Sequence, residues 1–367
     1  MKSDKIKQEW APKGDNPAYA SFVMPPKVGD GNSKPKKANS PIKALSIDDY
    51  IEGIIHDNRT ILSKAITLVE SNSQNHIDIA QEIITRILPK VGKSLRIGIS
   101  GSPGVGKSTF IDTFGEYLTQ NGYKVAVLAI DPSSTRSRGS ILGDKTRMEN
   151  LSRNPKAFIR PSPSGGTLGG VARKTRETMF LCEAAGFDIV LIETVGVGQS
   201  EVTVRSMVDY FLVLLLPGAG DDLQGIKKGI IELADGLAIN KSEGDLLNRA
   251  NVTKSAYQNA LHLLNHKIPE YIPPVINISA LYKTGIEDVW KAITEFVEMT
   301  NKSGFFDKNR ESQLTEWFDS LLHEAVFSKL FSDSFNQKLI NDTKNQVMNL
   351  ELSPVMGVRN LVQKFFS

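Results

Sequence analysis

Cysteine is nearly missing from this chain: Cys182 is the only one in 367 residues. That excludes a disulfide framework and any cysteine-rich metal site, and it fits a reducing cytosol. Histidine is scarce as well. His56, His76, His262, His266 and His323 all fall in stretches that read as helix, without the spacing of a metal-binding or catalytic pair. A Cys-x-x-Cys or a histidine-rich tract would mark a metallochaperone, and neither occurs. Long apolar runs are lacking too: the best candidate, Tyr210–Pro217, is far short of the roughly 20 residues of a membrane-spanning helix. The N-terminus carries charges but no apolar signal core, so secretion is not expected. Nor does one sign of charge dominate. The net charge is +3, and residues 1–45, with nine Lys/Arg and four Asp/Glu, hold +5 of it, which leaves −2 for the rest. A remainder that is not basic argues against a nucleic-acid-binding face. The expectation is a cytoplasmic protein with neither a membrane nor a nucleic acid as partner.

What is present is organised in four stretches. Residues 1–45, rich in Pro, Lys, Gly and Ser, read as a disordered basic tail. Residues 46–92 read as a helical segment: Ser46 can cap a helix Ile47–His56, and Ile61, Ala65, Leu68 and Val69 form an apolar stripe, as do Ile79, Ile83, Ile84 and Ile87. Residues 93–303 alternate strand and helix. The predicted strands are Leu95–Ser100, Lys124–Ile130, Ala157–Arg160, Ile189–Glu193, Tyr210–Leu216, Gly236–Asn240 and Val275–Ser279. Several are near-continuous apolar runs, as expected of a mostly parallel, doubly wound α/β sheet covered on both faces. Residues 304–367 return to helix, with Trp317, Leu321 and Ala325 on one face and Phe331, Phe335 and Leu339 continuing the pattern. This extension must pack either on the α/β domain or on a second copy of the chain.

The most informative octet is Gly101-Ser102-Pro103-Gly104-Val105-Gly106-Lys107-Ser108, which fills every fixed position of G-x-x-x-x-G-K-[ST]. A strand precedes it, and a helical pattern from Thr109 follows. Glycines let backbone N–H groups cradle phosphate, Lys107 adds a point charge, Ser108 offers a hydroxyl to Mg2+, and the helix N-terminus adds partial positive charge. Two strands then end in acids. Asp131, at the end of Val125–Ile130, can reach a metal or the attacking water, and an Asp-Pro turn is the competing explanation. Asp144 lies in a glycine-punctuated segment suited to a switch. Glu193-Thr194-Val195-Gly196 has the form of the acid-x-x-Gly switch of GTPases, with Glu193 holding Mg2+ through water and the Gly196 N–H meeting the γ-phosphate. Gln199 can orient water or sit idle on the surface.

Two later segments select the base. Asn240-Lys241-Ser242-Glu243 resembles the guanine-reading Asn-Lys-x-Asp, and Ser279-Ala280-Leu281 resembles the loop that caps guanine. Glu243 stands where Asp is usual. Its extra methylene moves the acceptor pair by roughly 1.5 Å, so guanine preference is retained but loosened.

In this setting Asp131-Pro-Ser-Ser134, Gly139-Ser-Ile-Leu-Gly-Asp144-Lys-Thr-Arg-Met148, Arg160-Pro-Ser-Pro-Ser164, Gly166-Thr-Leu-Gly-Gly170, Glu193-Thr-Val-Gly-Val-Gly-Gln-Ser-Glu201 and Gly220-Asp-Asp-Leu-Gln-Gly-Ile-Lys227-Lys-Gly229 resemble the methylmalonyl-CoA mutase-associated GTPase family. The resemblance covers about residues 47–300, the C-terminal helices more loosely, and not the first 45 residues. It implies a GTP/GDP- and Mg2+-binding chaperone that gates cofactor loading of an adenosylcobalamin-dependent acyl-CoA mutase and protects the enzyme. It also implies a homodimer formed through the C-terminal arm. Carried over by position, Lys107 and Ser108 contact phosphate and Mg2+, and Asp131, Asp144 and Glu193 are the metal-side carboxylates. Lys227 lies in a third switch loop that couples nucleotide state to the mutase.

No arginine is placed as a finger, so intrinsic hydrolysis should be slow, near or below ~10⁻² per second. The rival reading is a P-loop kinase or ATPase acting on a small molecule or a transport protein. It requires an acceptor pocket with a general base, and no second catalytic cluster is visible in the sequence.

Overall fold

The computed structural model describes residues 45–131, 148–163, 168–194, 200–218, 228–263, 268 and 271–365. The predicted basic tail and residues Asp144, Gly196 and Lys227 lie outside this set. Three helices lead: α1 (Ile47–Ile55), α2 (Arg59–Glu70) and α3 (Gln74–Ile87). Ser46 and Asp49 form a reciprocal capping box at the start of α1, satisfying two of the otherwise orphaned N–H groups. Asn58 caps α2 through Thr60 N and Ile61 N.

The α/β part follows as β1 (Leu95–Gly101), α4 (Lys107–Gln120), β2 (Val125–Asp131), α5 (Glu149–Ser152), β3 (Ala157–Pro163), α6 (Leu168–Ala184), β4 (Ile189–Glu193), α7 (Ser200–Arg205), β5 (Tyr210–Leu215), α8 (Lys228–Ile231), β6 (Gly236–Ile239), α9 (Leu247–Leu261), β7 (Val275–Asn277) and α10 (Ile286–Lys302). The seven strands form one all-parallel sheet in the order β3-β2-β4-β1-β5-β6-β7.

Side-chain alternation builds two cores from the same strands. Val190, Ile192, Phe211, Val213 and Leu215 face α1–α3, α6 and α9. Ile97, Ile99, Leu191, Leu212 and Leu214 face α4 and α10. The near-continuous apolar runs therefore have the meaning expected of them. Buried Cys182 sits in the first core, and burial pushes its thiol well above the ordinary range.

Two strand ends differ from the sequence-based expectation by more than one residue. β3 runs on from the expected end at Arg160 through Pro161 to Pro163. β3 is an edge strand, where a missing N–H is tolerated. The prolines, with Arg59 donating to Ala157 O and Pro155 O, also blunt that edge against pairing with another chain. β7 ends at Asn277 because Ser279 turns to bridge Thr284.

The chain closes with α11 (Phe305–Ser332), α12 (Ser334–Met348) and α13 (Pro354–Phe365). The first half of α11 is fastened to the α/β part. Trp317 packs edge-on against Phe180 at 6.0 Å, and Arg310 pairs with Asp209 at 2.6 Å. Further along, Phe318, Phe327, Phe331 and Phe335 remain exposed, and α11–α13 enclose an apolar groove of about 670 Å³.

Candidate nucleotide site

β1 hands over to α4 at the centre of the sheet, and the turn between them is the phosphate loop. Gly101, Gly104 and Gly106 all have positive φ. Gly106 caps α4 in the left-handed conformation, and a Cβ there would lie 2.7 Å from Asn240 Nδ2. Backbone shape and the close approach of Asn240 therefore both demand glycine. Within the loop Val105 is fully buried, Ser102 is half-buried, and Pro103, Gly104 and Thr109 lie on the exposed rim.

The base-reading segments clamp this loop. Asn240 donates Nδ2 to Val105 O at 2.8 Å and accepts from Ala280 N at 3.0 Å. Lys241 donates Nζ to Gly104 O at 3.0 Å. Its φ of 62° is left-handed, a conformation that costs a non-glycine residue roughly 1–2 kcal/mol and marks a functional constraint. Thr113 of α4 donates to Ala280 O, which closes the ring between loop, helix and cap. Ser279 is fully buried, while Leu281 is 68% exposed at the rim, available to cover a planar base. Glu243 is half-buried, and its Oε2 is enclosed without a hydrogen-bond partner among the described residues. An enclosed carboxylate oxygen left unsatisfied costs about 1–3 kcal/mol or more. A ligand presenting two adjacent N–H groups, as guanine does, would remove that cost.

On the phosphate side, Lys107 is buried and donates to Gly101 O at 2.7 Å and to Ser102 O at 3.3 Å. Desolvation lowers its basicity, and the charges of Glu193 and Glu201 push back in the other direction. Ser108 Oγ donates to Glu193 Oε1 at 3.1 Å. Glu193 ends β4 in register with Ile99, so the acid falls beside the loop because β4 is the neighbour of β1. Ser108 and Glu193 form a hard oxygen pair at the loop's mouth. That pair fits Mg2+, which takes one or two protein oxygens together with phosphates and waters. Asp131 closes the backbone of β2 two strands from β1, and its side chain lies outside the described residues. Residues 62–334 match the family model described as methylmalonyl-CoA mutase-associated GTPase MeaB.

The chain belongs to the MeaB family.

Its relatives agree. The GTPase ArgK of Escherichia coli is 45% identical over 320 residues, covering 87% of this chain and 97% of that protein. The mouse mitochondrial methylmalonic aciduria type A homolog is 44% identical over 331 residues, covering 88% and 80%. A crystal structure of a LAO/AO transport system kinase superposes with a TM-score of 0.74 at 38% identity, covering 89% of this chain and all of that one. This MeaB-family chain is thus a P-loop GTPase, and the fold brings the phosphate loop, the Ser108–Glu193 pair and the Asn240–Lys241 clamp together.

Two residues of this MeaB-family site carried no role in the sequence reading. Thr194 donates Oγ1 to Ser100 Oγ at 2.9 Å and fixes the end of β4 to β1. Glu201, only 2% exposed, adds a second carboxylate charge near Lys107. Glu201 is the last residue of the quoted Glu193–Glu201 motif, and an acid in the first turn of a short helix was its only separate signal.

Proposed function

We propose that this GTPase is a chaperone of an adenosylcobalamin-dependent acyl-CoA mutase, with methylmalonyl-CoA mutase the first candidate. Binding and slow hydrolysis of GTP would time cofactor loading and protection of the enzyme. The observation that supports it is the family match across residues 62–334. In this reading Lys107 holds the β- and γ-phosphates, and Ser108 and Glu193 hold Mg2+, with Asp131 and Asp144 completing the metal side. Bound Mg2+ neutralises the charge gathered on the phosphates. Gly196 senses the γ-phosphate, Lys227 couples the nucleotide state to the mutase, and Asn240, Lys241, Glu243 and Ser279–Leu281 read the base. The test is gel filtration of the protein with purified methylmalonyl-CoA mutase in GDP and in a non-hydrolysable GTP analogue, together with cofactor retention by the mutase during turnover. A nucleotide-dependent complex is expected. No complex and unchanged retention in both states would sink the assignment.

Guanine selection has its own check. Titration calorimetry should show the GTP analogue binding far more tightly than its ATP counterpart. Glu243→Ala should cost about 2–4 kcal/mol of guanine affinity, since two charge-assisted hydrogen bonds are lost. Equal binding of the two nucleotides would bring the kinase reading forward.

The groove of α11–α13 and its exposed phenylalanines support a homodimer formed through this arm. Light scattering should report a dimer. Phe331→Asp, which puts a charge beside Phe327, should yield a monomer with unchanged nucleotide affinity. A variant that stays dimeric would move the interface elsewhere.

A further inference from the structure

The six-residue helix α7 begins beside the nucleotide site, and the turn that follows it, Ser206–Asp209, meets the C-terminal helix α11. Its first turn carries buried Glu201, whose charge acts on Lys107. Its C-terminal end lies directly on the strand that leads into the phosphate loop. A Cβ on Gly98 would lie 2.9 Å from Val204 Cγ1, so the bare backbone of β1 is what admits the helix this closely.

The turn after it presents acceptors on three residues, and each residue is gripped. Arg176 of α6 donates to Ser206 O at 2.7 Å and to Ser206 Oγ at 2.9 Å. Gln313 of α11 donates Nε2 to Val208 O at 2.8 Å. Arg310 of α11 binds the Asp209 carboxylate through two bonds of 2.6 and 2.7 Å. Arg176 also reaches α11 directly: it donates to Gln313 O at 3.1 Å and lies 5.2 Å over the Trp317 ring. A short rod in contact with the phosphate-loop strand is therefore tied, through the turn that follows it, to the root of the arm.

The tie is only half satisfied. Arg176 Nε, Arg205 Nε and Gln313 Oε1 are buried at this junction without hydrogen-bond partners among the described residues. The set is two donors and one acceptor, so the unmet groups complement one another. Each is costly where it stands, so a rearrangement that satisfies any of them is favoured at this junction. Packed side chains and hydrogen-bond networks of this kind carry coupling between distant sites.

We propose that α7 carries the nucleotide state from the phosphate loop to the C-terminal arm, with Arg176 as the positioning residue that holds the helix end against Gln313 and Trp317. The inference rests on the reading of Lys107, Ser108 and Glu193 as the nucleotide site. Coupling is reciprocal: a chain that seizes the arm alters nucleotide affinity through the same contacts.

The test uses full-length protein labelled with 5-fluorotryptophan. Its three tryptophans, Trp10, Trp290 and Trp317, are assigned by Phe variants. Fluorine NMR is recorded with GDP and with a non-hydrolysable GTP analogue, each at saturation. The Trp317 resonance is expected to differ between the two states in the wild type and to coincide in Arg176→Lys, which keeps the charge but loses the fork. Turnover of GTP by Arg176→Lys, counted per active site titrated with the GTP analogue, should fall by roughly fivefold or more while KM stays put, a fall that loss of folded protein cannot mimic on that basis. Gln313→Leu, which deletes both the unsatisfied oxygen and the bond to Val208, should uncouple Trp317 in the same way, so the result does not hang on one variant folding. An identical Trp317 signal in both saturated wild-type states overturns the relay and leaves the nucleotide site standing. Failure to bind guanine nucleotides at all overturns both. A normal Trp317 response in the two variants overturns the role given to Arg176 and Gln313.

Discussion

Lys107→Ala is expected to lower GTP hydrolysis by on the order of 10³-fold and to weaken triphosphate binding far more than binding of guanosine alone. The reason lies in what surrounds the ammonium. It is held by two carbonyls of the loop, at 2.7 and 3.3 Å, with the charges of Glu193 and Glu201 acting on it. Desolvation works against its charge and the two carboxylates restore it. Removing it leaves those carboxylates facing an incoming polyphosphate with no counter-charge, so repulsion falls on the phosphates and spares the base. The same loss touches few packing contacts, since the loop backbone is set by its glycines and by Asn240. Thermal stability of the variant should therefore stay near wild type, which separates lost chemistry from lost fold. Single-turnover phosphate release and paired titrations with guanosine and GTP give the reading. Hydrolysis within tenfold of wild type would remove Lys107 from the phosphate site.

How legible this was from the chain follows from how local each signal is. The phosphate loop, its strand and its helix are contiguous, and their residue types are forced by backbone geometry. Ser46 and Asp49 form a cap within four residues. The strands advertise burial on both faces through unbroken apolar runs, and their parallel pairing follows from the helices between them. Asn240, Lys241 and Ala280 are distant in sequence, but a motif with fixed spacing names them. The polar junction beneath the nucleotide site has no such signature. Arg176 sits in a helix that reads as amphipathic, and Gln313 and Arg310 sit in Asn309-Arg-Glu-Ser-Gln313, which looks like a solvated helix surface. Val208 and Asp209, the partners of Gln313 and Arg310, are about a hundred residues away in the chain, and Ser206, the partner of Arg176, is 30 away. Buried polar pairing across such separations leaves no periodicity to read, so only the fold reveals that a polar turn is an anchor. The question of what the C-terminal extension packs on has a two-part answer for the same reason. Polar residues fasten the first half of α11 to the α/β part, while the aromatic residues that dominated the sequence pattern lie mostly beyond it and stay exposed.

That anchor leads to the second large effect. Arg310→Ala should destabilise the protein by about 3–5 kcal/mol, the range for breaking one side of a buried ion pair. Arg310 binds both oxygens of Asp209 and also donates to Ser94 O at 2.7 Å and Gly92 O at 2.5 Å, while its guanidinium lies 4.5 Å over the Phe306 ring. Asp209 is buried, and without Arg310 its remaining donor among the described residues is the Arg96 backbone N–H at 2.8 Å. The carboxylate would then be a charge enclosed with one neutral hydrogen bond, which is the costly part. The double variant Asp209→Asn with Arg310→Met removes both charges and keeps volume, so it should lose much less than the sum of its parts. Urea unfolding of the wild type, both single variants and the double supplies the cycle. A coupling energy below about 1 kcal/mol would mean that the arm is held by Trp317 and the backbone bonds instead. Hydrogen exchange locates the damage. In Arg310→Ala, protection should fall first along α11, whose root has lost its clasp, while β1 and β5, buried on both faces, keep theirs until global unfolding.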